Sequence, residues 1–167
     1  LCEHPRLPAK PVYGSNNWYF CGPKTSAQLE LDAARRISDL SADTDNRPYS
    51  VIDFGWTKDP GQYGPYTESN EKFPDMAGLA DQIREAGAIP GIWVRLLMGN
   101  KDDKPSLFLP PERFVGGAGK DRPLFGLDPS IPEVLERVRD IMQTVTGWGY
   151  RLVKHDFSIL DIMGRWG

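Results

Sequence analysis

Two charged residues near the end of the sequence are spaced for chemistry on one face of a strand. Lys154 and Asp156 lie two residues apart in the run Tyr-Arg-Leu-Val-Lys-His-Asp-Phe that covers 150–157. At this spacing the ammonium and the carboxylate point to the same side of a β-strand. The ammonium would lower the pKa of the carboxylate and keep it ionised, as a nucleophile or an electrostatic stabiliser requires. A plain structural ion pair has the same spacing, and spacing alone does not separate the two.

Polar side chains also stand at the C-terminal ends of the other predicted strands. Strand by strand, they are Asn16 with Asn17, then Asp53, then Arg95, then Lys154 with Asp156. If the sheet is parallel, these ends lie at one edge of it. We therefore predict that the side chains converge on one site, the alternative being four unrelated polar residues where loops begin.

Three tryptophans lie at or near the same strand ends. Trp18, Trp56 and Trp93 could stack on a flat, partly polar ligand such as a sugar ring, whose hydroxyls could donate to Asp53. The alternative for Trp56 is that it packs under the long loop that follows it. Trp148, at the end of a helix, is predicted to lie in the core.

Hydrophobic patterning predicts alternating strands and helices that would position these groups. The predicted strands are 11–13, 49–54, 89–97 and 150–157, and the predicted helices are 25–40, 76–86 and 130–146. Thr25 with Gln28 and Ser130 with Glu133 have the spacing of capping boxes, and Asp75 can cap the middle helix. Apolar residues at helical spacing form one face of the first two helices, namely Leu29, Ala33, Ile37 and Leu40, then Leu79, Ile83 and Ala86. The third helix is predicted to bury Val134, Leu135, Val138, Ile141 and Val145.

Strand followed by helix, repeated along the chain, predicts an α/β fold with a parallel sheet. An open doubly wound sheet and a (β/α)8 TIM barrel both fit this alternation. The long segments, 56–74 and 98–129, both follow strands, whereas the segments from helix into strand are short. Elaborated loops at one end of the sheet favour the barrel. Since a barrel typically needs about 250 residues, we expect residues 1–167 to form the N-terminal half of one catalytic barrel domain, with about the first four strands.

Composition excludes several classes of protein. A net charge of −3 over 167 residues gives no basic surface for nucleic acid or an anionic membrane. No apolar run reaches the roughly 20 residues of a membrane span, and no signal peptide is visible, so the compartment is not assigned.

Cys2 and Cys21 could form one bridge or remain two thiols, and no metal site or cofactor is predicted. The glycine-rich run 116–120 lacks the residues of a phosphate-binding loop and is predicted to be a flexible loop.

An ordered set of short motifs resembles the melibiase-type α-galactosidases of glycoside hydrolase family 36 and the related family 27. The set spans the first to the fourth strand. It consists of Gly-Ser-Asn-Asn-Trp-Tyr at 14–19, Val-Ile-Asp-Phe-Gly-Trp at 51–56, Lys-Phe-Pro-Asp-Met at 72–76, Gly-Ile-Trp at 91–93, Leu-Asp-Pro at 127–129, Pro-Glu-Val at 132–134 and Lys-His-Asp at 154–156. Each motif is weak alone, and their order carries the resemblance.

The resemblance implies a retaining glycosidase acting on α-linked galactosides or a related α-glycoside. Asp156 would be the nucleophile that forms a covalent glycosyl-enzyme intermediate, and Lys154 and Asp53 would bind sugar hydroxyls. The other substrate-binding residues expected are Asn17, Trp18, Trp56, Trp93 and Arg95. A second carboxylate, about 5–5.5 Å from the nucleophile, must act as acid and base. In the family it comes from a later strand, so the expected partners are the carbohydrate substrate and the remainder of the barrel.

Two departures from the family pattern bear on the substrate. Phe54 stands where galactosidases usually carry a second Asp, which weakens the prediction of galactose specificity. Ser15 replaces a Trp of the first-strand motif. Arg95, where the family often differs, could bind an anionic or heavily oxygenated substrate.

Two alternatives to a glycosidase remain open from the sequence. One is a carbohydrate-binding half-barrel without catalytic activity. The other is an aldolase-type α/β enzyme in which Lys154 forms a Schiff base with a carbonyl substrate.

Overall fold

Four parallel strands form one sheet in the computed structural model, which describes residues 3–5, 7–59, 64–110 and 125–163. The strands are β1 (Gly14–Asn16), β2 (Tyr49–Ile52), β3 (Ile89–Val94) and β4 (Leu152–His155), and they lie side by side in chain order. Doubly wound sheets reverse their strand order at a switch point, whereas barrel strands follow one another in sequence. The described order is therefore that of a barrel, as the sequence predicted.

The first strand begins later than predicted, because residues 11–13 are not in the sheet and β1 is Gly14–Asn16. Gly14 pairs with Tyr49, and a Cβ added at Gly14 would lie 1.9 Å from the carbonyl oxygen of Tyr49. Only a glycine allows this close approach of the two backbones.

The first long helix, α2, covers Ala27–Asp39 and follows the short helix α1 (Trp18–Cys21). Its N-cap is Ser26, whose hydroxyl accepts from the backbone N–H of Leu29. The predicted capping residue, Thr25, is fully buried and bonds the side chain of Glu30 instead. The buried positions of α2 are Glu30, Leu31, Ala34 and Ser38. Of the predicted apolar face, Ile37 packs partly buried against the core, whereas Leu29 and Leu40 are exposed.

The other two long helices match their predicted positions more closely. Helix α3 (Met76–Glu85) is capped by Asp75, and Leu79 and Ile83 face the core as predicted. Helix α4 covers Pro132–Gly147 and has no side-chain cap. The predicted capping box at its start was wrong, because the Ser130 hydroxyl donates to Asp128.

The core lies between the sheet and these helices. Val134, Ile141 and Val145 of α4 are buried as predicted, whereas Leu135 is 48% exposed. Strand β3 runs through Pro90 and Gly91 without interruption and is buried along nearly its whole length. Trp148 packs against the core, which confirms its predicted place.

The long segments after β2 and β3 fold back on themselves at the C-terminal end of the sheet. Isolated antiparallel bridges join Thr57 to Ser69 in the first segment and Met98 to Gly126 in the second. A last short helix, α5 (Ser158–Met163), follows β4 almost directly. No helix in the described part of the chain has the length and apolar character of a membrane span.

The glycine-rich run 116–120 lies outside the described residues, as does Cys2. The possible bridge between Cys2 and Cys21 therefore stays a prediction.

Candidate functional site

A chain of charged side chains crosses the C-terminal end of the sheet from β2 to β4. The ammonium of Lys154 lies 2.7 Å from Oδ2 of Asp53 and 3.5 Å from Oδ2 of Asp156. Both carboxylates follow or end strands, and Lys154 stands on β4 between them. The predicted convergence of these three residues is present in the structure.

Asp53 is held in place by three donors and is almost fully buried, with 2% of its surface exposed. Besides Lys154, the amide of Asn16 at the end of β1 donates to Oδ2 at 2.6 Å. The backbone N–H of Phe54 donates to Oδ1 at 2.8 Å. Strands β1, β2 and β4 thus contribute to one hydrogen-bonded unit at this carboxylate.

Asp156 receives a donor on each of its two carboxylate oxygens. The indole N–H of Trp93 donates to Oδ2 at 2.9 Å, and the backbone N–H of Phe157 donates to Oδ1 at 2.9 Å. Partial burial opposes the charge of this carboxylate, but these hydrogen bonds and Lys154 outweigh burial and lower the pKa of Asp156 below its ordinary value. With its side chain 34% exposed, Asp156 is ionised near neutral pH and can still be reached from solvent.

Lys154 is charged for a related reason. Burial opposes the charge, but the hydrogen bond and charge of Asp53, together with Asp156, raise the pKa of Lys154 above its ordinary value. A Schiff-base lysine requires a lowered pKa so that the free amine can attack. This environment disfavours the aldolase alternative and suits a fixed cation between two carboxylates.

Aromatic side chains form a wall beside the charged groups. The ring of Phe54 lies edge to face with Trp18 at 5.9 Å between centroids and with Trp93 at 5.5 Å. These three rings and that of Phe157 line one shallow pocket with the charged residues. This pocket holds about 80 Å³, whereas ligand sites typically hold roughly 300–1,000 Å³. By itself, the pocket formed by the described residues is therefore smaller than a typical ligand site.

Two of the predicted stacking tryptophans are buried. Trp56 is 0% exposed, and its indole N–H donates to the backbone carbonyl of Trp93 at 2.9 Å. Trp93 is 1% exposed and uses its own N–H to bind Asp156. Trp56 packs in the core and does not line the pocket, whereas Trp93 lines the pocket beside Asp156 although most of its ring is buried. Trp18, which is half-buried at the pocket, keeps its predicted place.

Arg95 does not reach the pocket as a substrate-binding cation. Its guanidinium forms a bidentate ion pair with Asp161 of α5, with Nε 2.9 Å from Oδ2 and Nη2 2.5 Å from Oδ1. The guanidinium also lies 4.7 Å from the centre of the Phe157 ring. The structure therefore does not bring Arg95 to the pocket with Asp156, because Asp161 holds its guanidinium.

Asn17 also points away from the pocket. Its amide donates to Thr25 at 2.9 Å and to the carboxylate of Glu30. Glu30 is 1% exposed, and burial raises its pKa to about 7 despite the hydrogen bonds from Thr25 and Asn17. The strand-end residue that reaches the site is the neighbouring Asn16. Side chains alternate between the two faces of a strand, so with β1 placed at Gly14–Asn16 the neighbours Asn16 and Asn17 point in different directions. This alternation is the signal by which the sequence could have identified Asn16.

A larger groove, of about 350 Å³, lies between α1 and α2 and is lined mainly by apolar atoms, including those of Phe20 and Leu29. The lysine that bridges two carboxylates lies at the smaller pocket, which we therefore take as the candidate site. Among the described residues, no group of His, Cys, Asp and Glu side chains is arranged to hold a metal ion.

Comparison with known sequences finds similarity to yeast α-galactosidases. Over 84 residues the chain is 31% identical to α-galactosidase 1 of Saccharomyces cerevisiae, which covers 50% of this chain and 18% of that protein. An α-galactosidase of Saccharomyces pastorianus is 30% identical over 84 residues. The chain thus spans about a fifth of the length of the curated relatives it matches. No model of a protein family matches the sequence.

Comparison with solved structures finds the same kind of protein. The α-galactosidase of Thermus thermophilus in complex with p-nitrophenyl α-D-galactopyranoside aligns with a TM-score of 0.68 and 25% identity, over 95% of this chain and 33% of that one. The family 36 α-galactosidase AgaA of Geobacillus stearothermophilus aligns with a TM-score of 0.60 at 19% identity, which shows a shared fold. These matches confirm the predicted α/β fold of the TIM-barrel type and the resemblance to melibiase-type α-galactosidases.

Proposed function

We propose that this chain is part of the catalytic barrel of a retaining glycosidase that acts on α-linked galactosides or closely related α-glycosides, with Asp156 as the nucleophile. The observation that carries the proposal is the setting of Asp156. Its carboxylate is kept ionised by Trp93, Phe157 and Lys154, yet it remains open to the pocket. A nucleophilic carboxylate needs both properties, because a protonated oxygen does not attack and a buried one does not meet its substrate.

In the first step, a carboxylate oxygen of Asp156 bonds to the anomeric carbon as the bond from that carbon to the leaving oxygen breaks. The electron pair of the broken bond goes to the leaving oxygen, which takes a proton from a second carboxylic acid. The product is a glycosyl ester on Asp156. The hydrogen bonds from Trp93 and Phe157 fix the direction from which the oxygen approaches.

In the second step, water attacks the anomeric carbon and the ester bond to Asp156 breaks, so the sugar keeps its original anomeric configuration. The second carboxylate, now ionised, takes the proton from that water. We propose that it comes from a later strand of the same barrel, about 5–5.5 Å from Asp156. Residues 1–167 would then supply the nucleophile half of the site.

The remaining pocket residues would hold the sugar. Lys154 has N–H donors to offer to ring hydroxyls, and Asp53 can accept a further hydrogen bond because a carboxylate has more lone pairs than its three present donors use. Trp18 offers a half-exposed ring for the apolar face of a pyranose. The relatives support the proposed substrate class, since the Thermus thermophilus enzyme was solved with p-nitrophenyl α-D-galactopyranoside and with stachyose.

The test is covalent labelling of the full-length protein that contains this chain. An activated 2-deoxy-2-fluoro-α-galactosyl fluoride should attach to the peptide that carries Asp156, and mass spectrometry of the digest should locate it. The Asp156→Asn variant should take up no label and lose turnover of p-nitrophenyl α-galactoside. Turnover that survives in this variant would disprove the nucleophile assignment, and sugar binding without any hydrolysis would favour the non-catalytic alternative.

A further inference from the structure

The ion pair between Arg95 and Asp161 joins the end of β3 to α5. The guanidinium meets both carboxylate oxygens, with Nε 3.0 Å from Oδ1 and 2.9 Å from Oδ2. The Asp161 side chain is fully buried, and that of Arg95 is 11% exposed. Burying two charges has a desolvation cost that their attraction often only balances, and apolar replacements of such pairs are often neutral or stabilising. Stability alone therefore does not explain this pair.

Phe157 lies against this pair in an unusual backbone conformation. With a φ of 57°, it is the one non-glycine residue with positive φ in the described ranges. Bulky side chains rarely adopt this left-handed region, and the surrounding structure must hold them in it. Arg95 packs its guanidinium 4.7 Å from the centre of the Phe157 ring, and the backbone N–H of Asp161 donates to the Phe157 carbonyl at 2.9 Å. Both members of the ion pair thus contact Phe157.

Phe157 follows Asp156 directly and donates its backbone N–H to Oδ1 of that carboxylate at 2.9 Å. This N–H lies in the peptide plane that joins the two residues, and φ of Phe157 sets how that plane is turned relative to α5 and Arg95. An ordinary, right-handed or extended conformation at Phe157 would send the chain elsewhere and detach α5 from Arg95. The contacts therefore run from Asp161 through Arg95 and Phe157 to Asp156.

We propose that Arg95 and Asp161 are a positioning pair that holds Phe157 in its left-handed conformation and thereby orients the Asp156 carboxylate for attack on the anomeric carbon. The inference rests on the proposed function of Asp156. Neither residue of the pair lines the pocket beside Asp156, and the proposed role is to fix the angle of the nucleophile. Small errors in that angle reduce the rate of attack much more than they reduce binding.

A second ion pair provides the matched control. Arg137 of α4 binds Asp103 with Nη1 3.0 Å from Oδ1 and 2.9 Å from Oδ2, and both side chains are largely buried. Its chemistry is that of the first pair, but its hydrogen bonds join α4 to the segment after β3 and do not reach Asp156. Equivalent substitutions in the two pairs therefore separate positioning from general stability.

The experiment compares Arg95→Lys with Arg137→Lys in the full-length protein. Lysine keeps the charge but cannot form the flat, two-pronged contact or stack on Phe157. We expect kcat of Arg95→Lys on p-nitrophenyl α-galactoside to fall about tenfold or more with little change in KM, because positioning acts on the transition state. Arg137→Lys should leave both constants near those of the unchanged protein.

A double variant, Arg95→Met with Asp161→Leu, guards against loss of folding. It replaces the two buried charges by apolar side chains, a change that often leaves stability equal or higher, so the protein should remain folded. We expect the same loss of kcat as in Arg95→Lys while the thermal midpoint stays at or above that of the unchanged protein. A folded double variant with unchanged kcat would overturn the inference, as would equal losses of kcat in Arg95→Lys and Arg137→Lys.

Fluoro-glycoside labelling of each variant separates the two proposals. If the unchanged protein is not labelled at Asp156, the proposed function fails. If the unchanged protein is labelled there and the Arg95 variants are labelled at the same rate, only the positioning role fails. Slower labelling of Asp156 in the Arg95 variants, with the label still at Asp156, is the expected result.

Discussion

The ammonium of Lys154 lies 2.7 Å from the carboxylate of Asp53, although 101 residues separate them in the sequence. Lys154 is nearer to Asp53 than to the proposed nucleophile, which it approaches to 3.5 Å. Asp53 therefore fixes the position of the cation, and the cation acts on Asp156 from that position. Several consequences of this arrangement can be measured.

Replacement of Lys154 by Met should affect stability and activity together. It leaves the carboxylate of Asp53 buried without its cation, which should lower the free energy of unfolding by about 1–3 kcal/mol. Activity on an aryl α-galactoside should fall by about a hundredfold or more, because a fixed charge beside the reacting centre is lost. Lys104→Met is the control, since Lys104 pairs with Glu133 at the surface and such pairs contribute about 0–1 kcal/mol. Equal effects of the two substitutions would contradict the assignment.

Replacement of Trp93 by Phe should move the acid limb of the pH–activity profile. The proposed nucleophile works in its ionised form, so kcat/KM is lost as the pH falls through the pKa of Asp156. The indole N–H stabilises that ionised form and helps to lower its pKa. Without this donor the pKa of Asp156 rises, and the loss of activity should begin at a higher pH.

The control for Trp93 is Trp56→Phe. Trp56 is equally buried and also uses its indole N–H, but it donates to the backbone carbonyl of Trp93. Trp56→Phe should lose about as much stability as Trp93→Phe. Its acid limb should stay at the pH found for the unchanged protein. A limb that moves equally in both variants would point to a general packing effect.

Replacement of Glu30 by Gln should change how stability depends on pH. Burial raises the pKa of Glu30 to about 7 in the folded protein, whereas an unfolded Glu titrates near pH 4.3. Between these values the folded state binds more protons than the unfolded state, so stability falls as the pH rises from about 4.5 to above 7. The size of the fall is about 3 kcal/mol, from a shift of between two and three pKa units.

Gln cannot ionise but keeps an oxygen for the donors on Thr25 and Asn17. Glu30→Gln should therefore match the unchanged protein at pH 5 and be more stable than it at pH 8, as measured by thermal unfolding across this range. Glu85→Gln, at an exposed position of α3, should leave the pH dependence as it was. If the thermal stability of the Glu30→Gln variant differs from that of the unchanged protein by the same amount at every pH, Glu30 is ionised throughout this range.

Replacement of Phe54 by Asp should change which sugars are preferred. The Phe54 ring lies in the aromatic wall between Trp18 and Trp93, where it favours an apolar part of the sugar, whereas a carboxylate there could accept from a hydroxyl. We expect the kcat/KM ratio of an α-D-galactoside to its 6-deoxy analogue, an α-D-fucoside, to rise by about tenfold. Phe20→Asp, at an exposed position of α1, should leave the ratio unchanged. A ratio that does not move would place the sugar's primary alcohol away from Phe54.

The sequence was sufficient to predict the sheet, the barrel order and the three charged residues of the site. Asp53, Lys154 and Asp156 were predictable because each stands at the end of an apolar strand, where parallel strands bring such residues to one edge. The roles of Trp56 and Arg95 were not predictable in the same way. Trp56 lies four residues beyond the end of β2, where strand alternation no longer gives direction, and the partner of Arg95 lies 66 residues later in α5.

The sequence patterns also did not predict which residues cap α2 and α4. Thr25 and Ser26 are both good capping residues, and the helix uses Ser26 because the buried carboxylate of Glu30 binds the hydroxyl of Thr25. Ser130 has the right spacing for a capping box but bonds Asp128. In each case a tertiary or neighbouring partner competes with the local motif, and propensity does not rank such partners.

The shared acceptor at Asp53 limits how the gene could be recombined with those of relatives. Its Oδ2 atom accepts hydrogen bonds from Asn16 of β1 and Lys154 of β4, while the carboxylate itself follows β2. In a chimera with a crossover between β1 and β2, or between β2 and β4, the donors and the acceptor of these hydrogen bonds would come from different parent proteins. Exchange of the whole segment from β1 to β4 keeps the three together, which makes its borders the natural breakpoints for shuffling this protein.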